Sequence, residues 1–547
     1  MAQRLSGARS DAEWPAKSEA RQANNASYFS LGSVNSRASM RNAEEIYSAE
    51  RQFPELFEQE LPFSQVSVND GAVAAKTSRQ RSLKRSAAQE WTVAVLYALL
   101  DVTAWIILYG IITYVRGDTF YETRMGFLLI DLLQLVVIMQ ALYIIGGYDR
   151  NVNKRTLSYA VEHILAVAAA AVFSAMLIYS AATFDQTMRP SRAVLLLSFL
   201  SFLAVSLSYR RWIGKHVAAT IANRAFLVIG SGERAAQFYR SYKDSPNRQL
   251  LHFVDTAVER IGKPIAGEGS PIVEGGVAAR LQNLSERYSG IILAKGVKEL
   301  DTRLLEKLVR TQFQRARVYT LESFYETHWR YVPLEAIDPV WPLQTGFQLA
   351  QISPYYYLKR LCDIAFACVA LAICAPLMAI VALIVWLGSG RPVLFSQSRV
   401  GRENSIFTIH KFRTMVSRDG PNMDDIYTRE GDPRITRVGR WLRKLRLDEL
   451  PQFWNVLKGD MSLIGPRAEW DKCVECYEKK IPFYHFRHLV KPGITGWAQV
   501  NYPYGESDAD AIEKLKYDLY YIRHYSLKLD AMIALKTVHV MLFSKGR

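Results

Sequence analysis

The sequence predicts a membrane protein of three parts. These are an α-helical transmembrane bundle, a small Rossmann-like α/β domain, and a mostly helical C-terminal domain with a re-entrant membrane helix. Three observations predict it. Apolar stretches recur at about 91–115, 125–148, 157–183 and 193–209, each near the roughly twenty residues that a spanning helix needs. Between 223 and 320 the text reads strand–turn–helix, as in "AFLVIGSGERAAQFYRSY". A fifth apolar run, "LCDIAFACVALAICAPLMAIVALIVWLGSG" at 361–390, then leads into a basic segment dense in charged motifs. At 547 residues the chain exceeds one ordinary core, which agrees with several domains.

The formal charge of +16, with 50% hydrophobic residues, permits either nucleic acid or an anionic membrane surface as partner. The apolar runs decide for the membrane, and no nucleic acid is expected. Five cysteines are an odd number, and three of them lie inside one apolar run, so no disulfide framework is expected. The lone CxxC of Cys473 and Cys476 lacks a second pair and reads as two helical positions instead of zinc ligands. Residues 1–88 carry many Arg, Ser, Ala, Gln and Asn with little apolar periodicity, which reads as a disordered basic tail. No apolar run before Trp91 reads as a signal peptide.

Flanking charge orients the bundle, assigned to 89–212. Lys84 and Arg85 precede the first span, Arg150, Lys154 and Arg155 join the second to the third, and Arg210, Arg211 and Lys215 follow the fourth. In the remaining loops Arg116 and Arg124 are offset by Asp118 and Glu122. The positive-inside trend then puts both ends of the bundle in the cytoplasm. Asp101 and Asp131 fall inside spans and are expected to face other helices. If the fifth run also crossed, everything after it would lie outside. Pro376 near its middle removes a backbone hydrogen bond, and a helix–break–helix over 361–388 would keep the C-terminal part cytoplasmic. On hydropathy alone a kinked spanning helix stays open; the topology favours the re-entrant form.

In the middle segment, 223–320, Gly230, Gly232 and Ala235 approximate GxGxxG/A after an apolar strand, and Asp255 ends the next strand. This is the shape of a dinucleotide fingerprint. The segment is about half the size of a complete dinucleotide-binding domain, so a small α/β module whose glycine turn allows close packing is the preferred reading. No cofactor is assigned to it. Residues 321–354 read as a linker.

The stretch "RLDELPQFWNVLKGDMSLIGPR", 446–467, sets Asp448 and Glu449 side by side after a basic run. Pro451 suits a first helical turn, Leu450, Phe453, Trp454 and Leu457 recur at helical spacing, and Gly459 suits the helix end. The acids therefore sit at a helix N-terminus, where a carboxylate caps free amides. A second acid exceeds what a cap needs. Arg443 and Arg467 lie on either side, and "HKFRTM" adds Lys411 and Arg413. Two carboxylates among several cations suit a diphosphate with a divalent metal, one carboxylate meeting the metal and the other free to attack phosphorus. Arg434 and Arg437, further out, read as a stripe facing solvent or lipid headgroups.

Residues 355–547 resemble the catalytic region of bacterial polyprenyl-phosphate sugar-1-phosphate transferases, which initiate exopolysaccharide, capsule and O-antigen assembly. The matching text is "KRLCDIAFA", "PVLFSQSRVGRENSIFTIHKFRTM", "GDPRITRVGRWLRKLRLDELPQFWNVLKGDMSLIGPR", "KPGITGWAQVN" and "YDLYYIRHYSLKLD". The spans and the α/β segment are similar to the N-terminal half of the family's large form. "GWAQVNYPYGES" resembles a subgroup tied to exosortase-associated polysaccharide loci.

The resemblance implies transfer of a sugar phosphate from a UDP-sugar, UDP-glucose or UDP-galactose favoured, to undecaprenyl phosphate with release of UMP, at the bacterial inner membrane. It implies Asp448 as nucleophile, through a covalent aspartyl-phosphosugar intermediate, and Glu449 as the ligand of Mg2+. Lys411, Arg413, Arg443 and Arg467 would bind substrate phosphates. Two departures stand out: the helix break is Ala375-Pro376 where the family commonly has Ser-Pro, and Lys491 stands where it often has Arg. A homo-oligomer is compatible with the sequence. The competing readings are a membrane-tethered nucleotide-sugar oxidoreductase or dehydratase and a non-catalytic assembly scaffold. The first needs a Tyr-x-x-x-Lys that neither Tyr517, Tyr521 nor the tyrosines of 223–320 supply. The intact Asp448–Glu449 pair argues against the second.

Overall fold

The computed structural model of the chain describes residues 70–116, 125–184, 191–245, 248–282, 288–296, 299–314, 316–337, 341, 346–347, 350, 353–416, 432–502, 505 and 507–543. Its first helices are α1 (Asp70–Val115), α2 (Met125–Ile144), α3 (Leu157–Ala181) and α4 (Arg192–Ala222). Helix α1 begins well before the first apolar run, so residues 70–88 are helical and not part of a disordered tail. Their text, rich in Ala, Arg, Lys and Gln and free of Pro, favours helix once the apolar segment has nucleated it. The tail's remainder, 1–69, lies outside the described residues.

Among the described residues, Trp91–Val115, Leu157–Ala181, Arg192–Ala219 and Tyr355–Ser389 are long and apolar enough to cross a membrane, and Leu132–Ile144 is a shorter apolar piece of α2. The bundle packs Trp105, Ile138, Leu142, Val167, Phe199 and Phe202 inward and leaves Leu99, Ile106, Phe173 and Met176 on its outside. Asp101 faces a neighbouring helix, as expected. Its oxygens accept from Arg210 on α4 at 2.7 and 2.6 Å and from Tyr148 at 2.7 Å. Two fully buried charges persist only when each is paired and hydrogen-bonded in this way. The side chain of Asp131 lies outside the described residues.

The second layer is a parallel sheet of β1 (Ala225–Ile229), β2 (Leu250–Val254), β3 (Tyr288–Leu293) and β4 (Val318–Thr320), in the order β2-β1-β3-β4. Helices α5 (Glu233–Lys243), α6 (Val277–Gln282) and α7 (Thr302–Gln314) accompany it. Continuous burial of β1 fits a strand covered on both faces. Gly230 (φ +113°) serves close packing: a β-carbon there would sit 2.9 Å from Lys295 Cγ. Lys295 in turn donates to Asp255 Oδ1 at 2.6 Å, so the end of β1 is filled by an ion pair. Residues 321–336 are not a free linker. Helix α8 (Leu321–His328) and Ala336 complete the sheet's core, with Leu321, Phe324 and Tyr325 against Phe226, Phe238 and Phe253. The apolar residues at 321, 324 and 325 already have helical spacing.

The third part opens with α9 (Tyr355–Ser389), which the structure draws as one uninterrupted helix through Pro376. No residue at Ala375-Pro376 leaves the helical conformation, so the expected turn would take the form of a bend within a continuous helix. Proline removes only its own donor, and the flanking turns keep their hydrogen bonds; such residues are tolerated in apolar helices. Both ends of α9 are held by the same domain. Arg360 donates to the carbonyls of Val456 and Leu457 at 2.6 and 2.9 Å. At the other end Arg413 donates to the carbonyls of Ser389, Gly390 and Arg391. Between them Ala367 packs with Phe407 and Val456, and Val381 and Val385 pack with Phe412 and Leu442. The opposite side of α9, including Phe366, Ile373, Ile380 and Leu387, is exposed and apolar.

Strands β5 (Leu394–Val400) and β6 (Ile406–Phe412) form an antiparallel hairpin under this helix. Then follow α10 (Arg437–Lys444), α11 (Gln452–Lys458), β7 (Ser462–Ile464), α12 (Asp471–Lys480), β8 (Gly493–Thr495), α13 (Trp497–Asn501), α14 (Asp508–Arg523) and α15 (Leu527–Phe543). Helix α15 returns to the bundle, where Lys536 lies 3.7 Å from Glu162 of α3 and Lys528 sits 3.6 Å over the Tyr143 ring.

Candidate active site

Asp448 and Glu449 lie in a short 3-10 turn, Leu447–Glu449, between α10 and α11. Arg446 enters it with φ +58°, which reverses the chain abruptly after α10. The α11 cap position belongs to Pro451, so the two acids stand one turn ahead of the helix instead of at its N-cap. Gly459 ends α11 in the left-handed conformation, as its sequence position suggests. The buried face is Gln452, Asn455 and Val456, whereas Trp454 is exposed. Leu450 and Leu457 pack against buried clusters as the apolar spacing suggests, but a polar residue, Asn455, does the internal bonding. Its Nδ2 donates to the Thr408 carbonyl at 2.7 Å, and its Oδ1 accepts from the His410 amide at 3.2 Å. Asn455 thus fixes the acidic turn against β6, the strand that carries Lys411. Nothing in the sequence pattern marks it.

Lys411 Nζ donates to Glu449 Oε1 at 2.9 Å, and Arg467 Nη1 lies 3.9 Å from the same oxygen. Burial alone would raise the Glu449 carboxyl; Lys411 and Arg467 overcome it and hold that group down at about 2. Lys411 itself moves down, because burial and the nearby Arg467 outweigh its attraction to Glu449 and Asp448. Asp448, 8% exposed, goes the other way. Burial and the Glu449 charge push its carboxyl above the ordinary aspartate range, against the pull of Lys411 and Arg443. Two adjacent acids are thereby separated: one firmly ionised and ion-paired, the other buried and closer to neutrality.

The remaining cations divide. Arg443, on α10, is near enough to act on Asp448, and its Nη2 reaches 3.6 Å from Met415 Sδ. Arg413 donates to the carbonyls that end α9. Arg434 is engaged with Asp432, its Nη2 donating to Oδ2 at 2.6 Å. Arg467 is placed by close backbone contact: a β-carbon on Gly493 would come within 2.1 Å of the Gly465 amide nitrogen, and the Gly493 amide donates to the Pro466 carbonyl at 2.8 Å. Arg487, 6% exposed, backs this segment by donating to the Arg467 carbonyl at 3.1 Å and to Asp518 Oδ2 at 2.9 Å. Arg487 and Asp518 escape sequence reasoning because they act across 31 positions on the far side of the loop.

Among the described residues no group of three or more His, Cys, Asp or Glu side chains could hold a metal ion. A carboxylate pair suits magnesium, which takes one or two protein carboxylates and completes its shell with phosphate and water. Glu449, ionised and reached by cations on one side, fits that donor set.

A family model described as bacterial sugar transferase matches residues 354–544. The chain is 41% identical over 261 residues to a UDP-N-acetylgalactosamine-undecaprenyl-phosphate N-acetylgalactosaminephosphotransferase of Aeromonas hydrophila, a match covering 48% of this chain and 60% of that protein. It is 32% identical over 387 residues to an undecaprenyl-phosphate glucose phosphotransferase of Komagataeibacter xylinus, covering 69% and 70% respectively. With a UDP-glucose:undecaprenyl-phosphate glucose-1-phosphate transferase of Escherichia coli (strain K12) it shares 30% identity over 433 residues, covering 76% and 89%.

Proposed function

Because the chain belongs to the bacterial sugar transferase family, we propose that it transfers a sugar-1-phosphate from a UDP-sugar to undecaprenyl phosphate and releases UMP. The observation that carries this reading is the Asp448–Glu449 turn facing Lys411, Arg443 and Arg467. Asp448 is the nucleophile. An Oδ atom attacks the sugar-bearing phosphorus, an Oδ–P bond forms, and the P–O bond to UMP breaks, UMP leaving with the electron pair. An oxygen of undecaprenyl phosphate then attacks the same phosphorus and regenerates the carboxylate. Arg467, Lys411 and Arg443 hold the diphosphate oxygens, and Arg443 also favours the ionised form of Asp448. Glu449 is the residue that would hold magnesium, which when bound supplies neutralisation of the diphosphate charge.

The catalytic part faces the cytoplasm of a bacterial inner membrane, with α9 dipping into the cytoplasmic leaflet and returning. Support comes from the positive-inside trend of the flanking charges and from Pro376, where α9 can bend without leaving the helical conformation. UDP-glucose is the first donor to test, since two of the named relatives are glucose transferases and one acts with N-acetylgalactosamine. The test incubates the membrane-reconstituted chain with undecaprenyl phosphate and a panel of UDP-sugars, and reads lipid product by mass spectrometry alongside UMP. Absence of a lipid-linked sugar phosphate with every donor would sink the proposal.

A further inference from the structure

A cavity of about 840 Å3 lies away from the acidic turn, where the α/β layer, the bundle and the C-terminal part meet. Its walls are the carboxyl ends of β3 and β4, the first turns of α5 and α8, Asp149 of the α2–α3 connection, and the turn between α14 and α15. We propose that this cavity is a second anion site, for a nucleoside diphosphate, separate from the Asp448–Glu449 turn.

Charge is the first argument. Five Arg and Lys residues line the cavity against three acids. Glu326 is already held by Arg523 at 2.8 Å and His524 at 3.1 Å, and Asp149 lies 3.6 Å from Arg330. Among the described residues, Arg234 and Lys528 make no ion pair with a carboxylate, so an incoming anion meets positive charge from both the α/β side and the C-terminal side. Ligands of parallel α/β sheets bind outside the carboxyl ends of the strands. Here the end of β1 is filled by Lys295 and Asp255, which leaves the space over β3 and β4.

Shape is the second argument. The volume suits a nucleotide, since ligand sites of roughly 300–1,000 Å3 are usual. The phosphates would meet Arg234 and Lys295, with the exposed Ser323 beside them on α8. Across the cavity Trp341, Tyr520 and His524 line the opposite wall, with the Tyr520 and His524 rings packed on each other at 4.3 Å and Arg523 over the Trp341 ring, so a base would lie along the edge of this aromatic group. The Trp341 indole N–H is buried and has no partner among the described residues, a donor that a base carbonyl or ribose oxygen satisfies. A ligand seated here touches all three parts at once, so its binding would tighten their docking.

The experiment is equilibrium dialysis of the full chain in lipid nanodiscs with radiolabelled uridine diphosphate and, separately, adenosine diphosphate. An Arg467→Ala background disables the proposed substrate site, so failure of this proposal and failure of the transfer reading can be told apart. A remaining class of binding, about one per chain, is expected with at least one nucleotide. It should weaken at least tenfold in Arg234→Glu, which reverses an exposed charge, and in Ser323→Trp, which fills the space. Both positions are exposed, so thermal melting should be unchanged. If neither nucleotide binds in the Arg467→Ala background, or if either variant keeps the original affinity, the proposal is overturned.

Discussion

Lys411 Nζ lies 2.9 Å from Glu449 Oε1, while the adjacent Asp448 makes no ion pair among the described residues. One buried cation therefore stabilises the charge of one acid and only partly offsets the burial of its neighbour. This inequality separates the proposed roles.

Asp448→Asn should abolish transfer and leave the fold intact, because an amide does not attack phosphorus. Thermal melting and lipid product are the paired measurements. Near-normal turnover in this variant would falsify the covalent mechanism.

The acid limb of kcat/KM should lie above the ordinary aspartate range, since burial and Glu449 both favour the protonated form of Asp448. Glu449→Gln removes a neighbouring negative charge. The residual activity of that variant, lowered through loss of metal binding, should show its acid limb moved to lower pH. A limb that stays put or moves upward contradicts the coupling.

Arg467→Lys and Arg443→Lys should be poor replacements although charge is kept, because the bidentate fork is lost. Each lost charge-assisted pair is worth on the order of 1.5–3 kcal/mol, roughly tenfold or more in kcat/KM. Gly493→Ala should resemble Arg467→Lys without touching any charge, since its new carbon collides with the Gly465 backbone and displaces that segment. Full activity in Arg467→Lys would remove that residue from the site.

Arg413→Ala separates two roles for one residue. Its guanidinium bonds the carbonyls that end α9, so the expected outcome is a lower melting temperature with KM for the UDP-sugar little changed. A large rise in KM without loss of stability would restore it to the phosphate site.

Topology has a direct measurement. With Cys476 kept as the single cysteine, exposed on α12, a membrane-impermeant thiol reagent should not label intact cells. Pro376→Leu should straighten α9 and raise the labelled fraction. Labelling of the Pro376-containing protein from outside would rule out the re-entrant arrangement.

The sequence by itself determined the local parts. Length and hydropathy set out the apolar helices, because burying twenty consecutive apolar residues in lipid needs no tertiary partner. Strand–turn–helix text gave the parallel sheet, and the basic–acidic spacing of 443–467 singled out Asp448, Glu449 and Arg467. The tertiary structure decided what distance in sequence hides. Asn455 joins α11 to β6, Arg487 and Asp518 hold the Arg467 main chain, Arg413 turns to the end of α9, and 321–336 builds onto the sheet. Each of these depends on which polar group lacks a partner once the layers close, and spacing along one segment carries no information about that.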